Sequence, residues 1–299
     1  MDKKKKEIYK KSFAYIFLSI GAVTMLLPFV WMVATSLKEP SAVFTIPDNF
    51  LKQLVPNPIV WANYPSAWTA VPFPRFYFNT IFVTICITLG QVITSSLAAF
   101  AFARLNFPGR DKLFFGYLAT MMIPGVVTMI PVFILLRKFG EIWSTDLFVF
   151  GSFFGKPVGI DSYFALIVPG MFSAYGTFML RQFFMSLPVE LEEAAKIDGS
   201  TLFGIYRRIT LPLSKPALAT LTTFVFMGSW KDFMWPLIVT NSIEMKTLPV
   251  GLASFQGLYT TEWTLLMAGS IIMLAPIIIL FIFNQRFFVE GIKLAGIKG

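Results

Sequence analysis

Five stretches without a charged residue, 12–37, 76–103, 113–136, 162–180 and 263–285, constrain this chain more than any other feature. Each holds 19 to 28 residues, enough at about 1.5 Å per residue to cross a hydrocarbon layer about 30 Å thick as an α-helix. A sixth run starts at Pro216, meets Lys231 and Asp232 after 15 residues and resumes from Phe233 to Ile243. Fifteen residues rise only about 22 Å, so this helix is expected to continue past the pair. The nine residues from Leu147 to Gly155 are too few to cross and fit an interfacial or loop segment. The expected fold is all-α: six spans in one transmembrane domain, 13–288, behind a basic N-terminus, 1–12, and ahead of a tail, 289–299.

Composition agrees, since 56% of the residues are hydrophobic and 14% charged, against about 45–50% and about 25% in soluble domains. The six lysines before span one resemble the start of a secretory signal, but the apolar stretch behind them exceeds the usual core of about 7–15 residues. It reads as an uncleaved first helix. An even number of spans puts both termini on one side. That side collects 17 of the 25 basic residues: the N-terminal lysines, Arg104, Arg110 and Lys112, five between Arg181 and Lys215, and three after Gln285. By the positive-inside rule it is the cytoplasmic one. The net charge of +9 then faces lipid headgroups; no large polar surface remains for nucleic acid. The absence of histidine removes imidazole bases, triads and imidazole metal ligands, and the one cysteine, Cys86, forms no intramolecular disulfide. Gly155-Lys156-Pro157 lacks the spacing of a phosphate-binding loop. Catalytic, metal and cofactor-binding residues are all expected to be absent.

The first outer loop, 38–75, carries seven prolines, predicting extended or turn-like backbone that can meet an external partner or simply connect. Prolines and glycines also interrupt the spans at Pro124, Pro131, Pro169, Gly170 and Pro276, as suits a conduit that opens. The loop between spans four and five, within 186–215, is the most structured. Ser186 is placed to cap a helix whose first turns hold Pro188, Glu190, Glu192 and Glu193, acidic charge at the positive end of the helix dipole. Gly199 supplies a left-handed residue to end it. Ser200 or Thr201 caps a second short helix, expected to stop at Leu211 because Pro212 follows. The product is two helices joined by a glycine elbow, with Ala194 and Ala195 at an exposed tip. An amphipathic connector lying on headgroups is the plainer alternative.

Glu193-Ala194-Ala195, Gly199 and Ile209-x-Leu211-Pro212 resemble the EAA loop of ATP-binding-cassette importer permeases. Further motifs resemble the MalG-like carbohydrate permeases: 27–32 (LPFVWM) with 35–38 (TSLK), 102–110 (FARLNFPGR), 180–184 (LRQFF), 247–252 (TLPVGL) and 285–292 (QRFFVEGI). The resemblance covers nearly the whole chain and departs after Trp230, where those permeases commonly carry Asn and an acidic residue and this chain has Lys231 and Asp232. It implies that Glu193, Ala194, Ala195, Asp198, Gly199, Ile209, Leu211 and Pro212 form a coupling element docking on a separate ATPase dimer, which would bind the ATP and Mg. It also implies a place in the bacterial inner membrane, a second membrane subunit, homologous or identical, an extracytoplasmic solute-binding protein and a sugar as solute.

Lys231 lies about 21 Å from the inner end of span five, in the outer half of the bilayer. An ionisable group at that depth is costly unless it faces protein or water. Either one of the pair borders the translocation path or outer gate, with Trp230 and Trp235 as stacking surfaces for a sugar ring, or the span ends there and Lys231 snorkels to the headgroups. An ion-coupled secondary transporter needs midplane acids, for which only Asp232 qualifies. An importer for a non-sugar solute is the other alternative; an intramembrane enzyme lacks the residues it would need.

Overall fold

A computed structural model describes residues 3–45, 53–143, 152–153, 156–257 and 260–295. In chain order its helices are α1 (Lys3–Ser36), α2 (Asn63–Ala70), α3 (Phe73–Arg104), α4 (Arg110–Ala119), α5 (Gly125–Trp143), α6 (Tyr163–Ile167), α7 (Ala174–Met185), α8 (Glu190–Ile197), α9 (Leu202–Ile205), α10 (Leu211–Leu213), α11 (Lys215–Trp230), α12 (Met234–Val239), α13 (Leu248–Leu252) and α14 (Trp263–Ala295). Among the described residues, four helical stretches are long and apolar enough to cross a membrane: Tyr9–Ser36, Phe73–Arg104, Tyr163–Met185 and Trp263–Asn284. Two bent pairs raise the number to six if each is one span.

Several local expectations are corrected. The helix does not run past Lys231 and Asp232: α11 ends at Trp230 and α12 begins at Met234. A continuous helix would drive the Pro236 ring into the Asp232 carbonyl four residues back, and the Asp232 carboxylate instead accepts the Trp235 N–H at 3.3 Å. The run 113–136 bends by 100° between Met122 and Gly125, because Ile123, preceding Pro124, adopts extended backbone (φ −84°, ψ 117°). The proline-rich loop holds a full helix, α2, with Pro65 in its first turn, where no intrahelical N–H bond is needed. Of the stretch 147–155 only Ser152 and Phe153 are described, pairing antiparallel with Pro157 and Lys156, so the regular structure among the described residues is helical apart from this two-residue ladder and an isolated bridge between Gln256 and Thr261. Pro131 and Pro276, by contrast, sit inside continuous helices.

The chain divides into two compact units, Met1–Phe73 with Gly251–Ala275, and Pro74–Val250 with Pro276–Gly299. In the first, the end of α1 is tied down by Asn63, whose Nδ2 donates to the carbonyls of Ser36 (2.9 Å) and Lys38 (2.8 Å), satisfying oxygens that a helix terminus leaves without partners. The fully buried Phe73 packs its ring 5.0 Å from that of Trp68.

The second unit is built along α3. Thr84, Thr88, Ser95, Ser96 and Ala99 form its buried face, and small residues are what let helices approach when lipid offers no hydrophobic drive between them. At Gly176 of α7 a Cβ would lie 2.6 Å from the Ser95 hydroxyl, so only glycine allows this crossing. Two apolar clusters flank α3. One gathers Val83, Leu136, Tyr163, Leu166, Val239 and Met245; the other gathers Phe100, Leu180, Phe184, Ala195, Ile205, Tyr206 and Leu221. Asn79, fully buried, donates to the carbonyls of Glu244 (2.7 Å) and Lys246 (2.9 Å) and accepts the Tyr163 hydroxyl (2.7 Å).

Candidate functional site

The segment after α7 forms the elbow. Ser186 closes α7 rather than opening the next helix: its hydroxyl donates to the Phe183 carbonyl at 2.7 Å. Pro188 disfavours helical backbone at Leu187, so the chain completes a turn and α8 starts only at Glu190, without a side-chain cap. Glu190, Glu192 and Glu193 in its first turn and Lys196 in its last complement the dipole. Its C-terminus closes with paired bonds, Gly199 N–H to the Lys196 carbonyl (3.0 Å) and Ser200 N–H to the Ala195 carbonyl (2.9 Å), with Gly199 at φ +79°. Thr201 caps α9, its hydroxyl accepting the Gly204 N–H at 3.1 Å. The helix does not stop before Pro212. Tyr206 to Thr210 form a π-helical turn and α10 carries on to Leu213; the wider turn relieves the clash Pro212 would make four residues back.

The elbow is anchored at its base and open at its tip. Ala195 is buried in the cluster with Leu180 and Phe184, against which Ile209 and Leu211 also pack. Glu193, Ala194, Asp198, Gly199 and Pro212 are exposed, as are Leu191, Leu202, Phe203 and, at 87%, Ile197. A pairing that the sequence reading did not foresee holds the base. Arg104, at the end of α3, pairs with Glu192 at 2.7 Å, their side chains 9% and 7% exposed, and donates to the Leu187 carbonyl at 2.8 Å. Beside them the hydroxyls of Tyr206 and Ser96 are 2.7 Å apart, and the Tyr206 ring lies 5.3 Å from that of Phe100.

A cavity of about 450 Å³ lies among α3, α5, the turn at 168–171, α11 and α12. Its polar wall is Gln91, Thr128, Ser229 and Asp232, and Trp235, Met129, Val132 and Leu166 are among the rest. The helix break thus separates the four residues singled out around the charged pair. Asp232 and Trp235 line the cavity, the Trp235 indole N–H donating to the Ala165 carbonyl at 3.0 Å. Trp230 is 1% exposed and packs its ring 5.8 Å from Tyr77 and 5.6 Å from Phe226. Lys231 is exposed and not on the wall. Among the described residues no group of three or more Cys, Asp or Glu is arranged to hold a metal ion.

Comparison with known proteins bears on the same region. The model of the family described as binding-protein-dependent transport system inner membrane component matches residues 91–293, which contain the elbow and most of the cavity wall. The chain is 36% identical over 221 residues to the arabinooligosaccharides transport system permease protein AraQ of Halalkalibacterium halodurans, covering 74% of this chain and 73% of that one. It is 34% identical over 289 residues to the sn-glycerol-3-phosphate transport system permease protein UgpE of Yersinia pestis, covering 94% and 95%. In shape it is similar to a chain of a bacterial ABC transporter involved in import of the acidic polysaccharide alginate, with a TM-score of 0.79 and 24% identity over 96% of this chain and 99% of that one, a likeness of fold. With its several apolar helices and its match to the family model over most of its length, this chain belongs to the inner membrane components of binding-protein-dependent transport systems, the permease subunits of ABC importers.

Proposed function

We propose that this subunit forms one half of a six-span translocation pathway for a sugar or oligosaccharide, and that the elbow couples it to ATP hydrolysis in another chain. The reading takes the two bent pairs as one span each and places both termini in the cytoplasm, the side rich in Lys and Arg. The observation that carries it is the elbow's asymmetry: a base locked to α3 and the cluster around Leu180, and a tip with Leu191, Ala194, Ile197 and Phe203 in solvent. A helix held rigidly at one face and apolar at the other is built to transmit a push from a partner. That partner is an ATPase dimer, which supplies the ATP and Mg site; this chain binds no cofactor and catalyses no reaction. A second membrane subunit completes the path, and an extracytoplasmic solute-binding protein meets the outer loops, 38–75 and 244–262. The residues assigned to coupling are Glu193, Ala194, Ala195, Asp198, Gly199, Ile209, Leu211 and Pro212; Asp232 and Trp235 face the solute.

The sugar assignment rests on the arabinooligosaccharide relatives; the sn-glycerol-3-phosphate relatives favour a second reading, a phosphorylated polyol. The test is purification of the tagged subunit with its ATPase, reconstitution into vesicles and measurement of ATP hydrolysis and uptake with the loaded binding protein. Stimulated hydrolysis with uptake of arabino-oligosaccharides is expected. Concentrative, ion-driven uptake by the isolated chain would overturn the proposal.

A further inference from the structure

The cavity wall carries a single formal charge. Among the described residues Asp232 is the one ionisable side chain lining it, and the neighbouring Lys231 is exposed and does not line it. The carboxylate is fixed in place, because its Oδ1 accepts the Trp235 N–H at the break between α11 and α12. Around it stand neutral groups suited to hydroxyls, the Gln91 amide and the Thr128 and Ser229 hydroxyls, beside the Trp235 ring and apolar side chains. A fixed charge on a wall that is otherwise neutral and mostly apolar is less screened than in bulk water and biases the sign of solute that enters.

We propose that Asp232 makes this chain's side of the pathway a filter against anions. The solute that passes is an uncharged polyhydroxylated molecule, not a phosphorylated polyol or an acidic polysaccharide, the cargoes named for two transporters this chain resembles. Neutral hydroxyls exchange water for Gln91, Thr128 and Ser229 at little cost, whereas a phosphate or carboxylate meets like charge without a cation on the wall to offset it. The identification of the solute rests on the assignment of this cavity to the translocation path; the sign of the field does not.

The experiment uses the assembled complex with Cys86→Ser and Thr128→Cys, the new thiol being on the cavity wall. Its reaction rate is measured with a cationic (trimethylammonium-ethyl) and an anionic (sulfonatoethyl) methanethiosulfonate, with Asp232 intact and in Asp232→Asn, which keeps a side-chain oxygen for the Trp235 N–H and loses the charge. The cation-to-anion rate ratio is expected to fall about tenfold or more on neutralisation. A ratio unchanged within about twofold, or a thiol that neither reagent reaches, overturns the proposal. A second arm follows uptake of a neutral oligosaccharide and of a uronate of equal length. Transport of both at equal rates overturns the filter. A shifted reagent ratio, with Thr128→Cys unprotected by any transported solute, leaves the field intact and removes the cavity from the path.

Discussion

Gly199 is where the elbow's two helices change direction, and its backbone shows why glycine stands there. At φ +79° an L-residue pays about 1–2 kcal/mol, and the Gly199 N–H closes α8 on the Lys196 carbonyl. Proline satisfies neither requirement, being fixed near φ −65° and lacking the N–H. Gly199→Pro is therefore expected to leave the subunit assembled in the membrane while solute-stimulated ATP hydrolysis drops to the unstimulated level; full stimulation in the mutant complex would remove the elbow's role. Gly199 and the Thr201 cap were legible in the sequence because caps are local, decided by residues within one turn. Ser186 was not, since the same hydroxyl can close one helix or open the next, and the position of Pro188 decided between them. Trp230 and Trp235 are alike on paper, five residues apart in an aromatic run; only packing against Tyr77 and Phe226 takes Trp230 off the cavity.

At the scale of elements, the buried Arg104–Glu192 ion pair joins α8 to α3, the Tyr206 hydroxyl beyond α9 meets Ser96 of α3, and Ala195 sits in the apolar cluster with Ala99 and Phe100. Arg104 and Glu192 are nearly inaccessible, and removing one partner of such a pair leaves a buried charge at a cost of about 3–5 kcal/mol. Glu192→Gln and Arg104→Gln are each expected to release the elbow, read as faster tryptic cleavage at Lys196 and Arg207 and a lower denaturation temperature. The reversed pair, Glu192→Arg with Arg104→Glu, is expected to recover part of both. Equal cleavage rates in all variants would show that the apolar cluster alone holds α8. The acidic first turn of α8 was visible in the sequence, but nothing in local spacing relates Glu192 to Arg104, which ends an apolar run several helices earlier. The break after α11 was missed for a related reason: hydropathy counts residues, while the helix obeys the ring of Pro236.

For the whole molecule, the proposed six spans and inward termini predict that an alkaline phosphatase fused after Gly299 is inactive and a fluorescent protein at the same point is bright; the reverse pattern would invert the topology. Length and apolarity marked most of the stretches able to enter lipid, because a helix needs about 20 apolar residues to cross; four of the five uncharged runs coincide with helical stretches long enough to span, while 113–136 is bent. Charge asymmetry fixed the expected orientation, and the Glu193 to Pro212 pattern fixed the family, since both are read along the chain. What tertiary structure alone decided is which of those residues meet. The pairing of Arg104 with Glu192, the docking of Ala195 beside Leu180 and the facing of Asp232 into a cavity with Gln91 all join residues far apart in sequence. Such contacts depend on helix crossings, and these are set by small residues such as Gly176 against Ser95 and by proline bends whose angles no periodicity records.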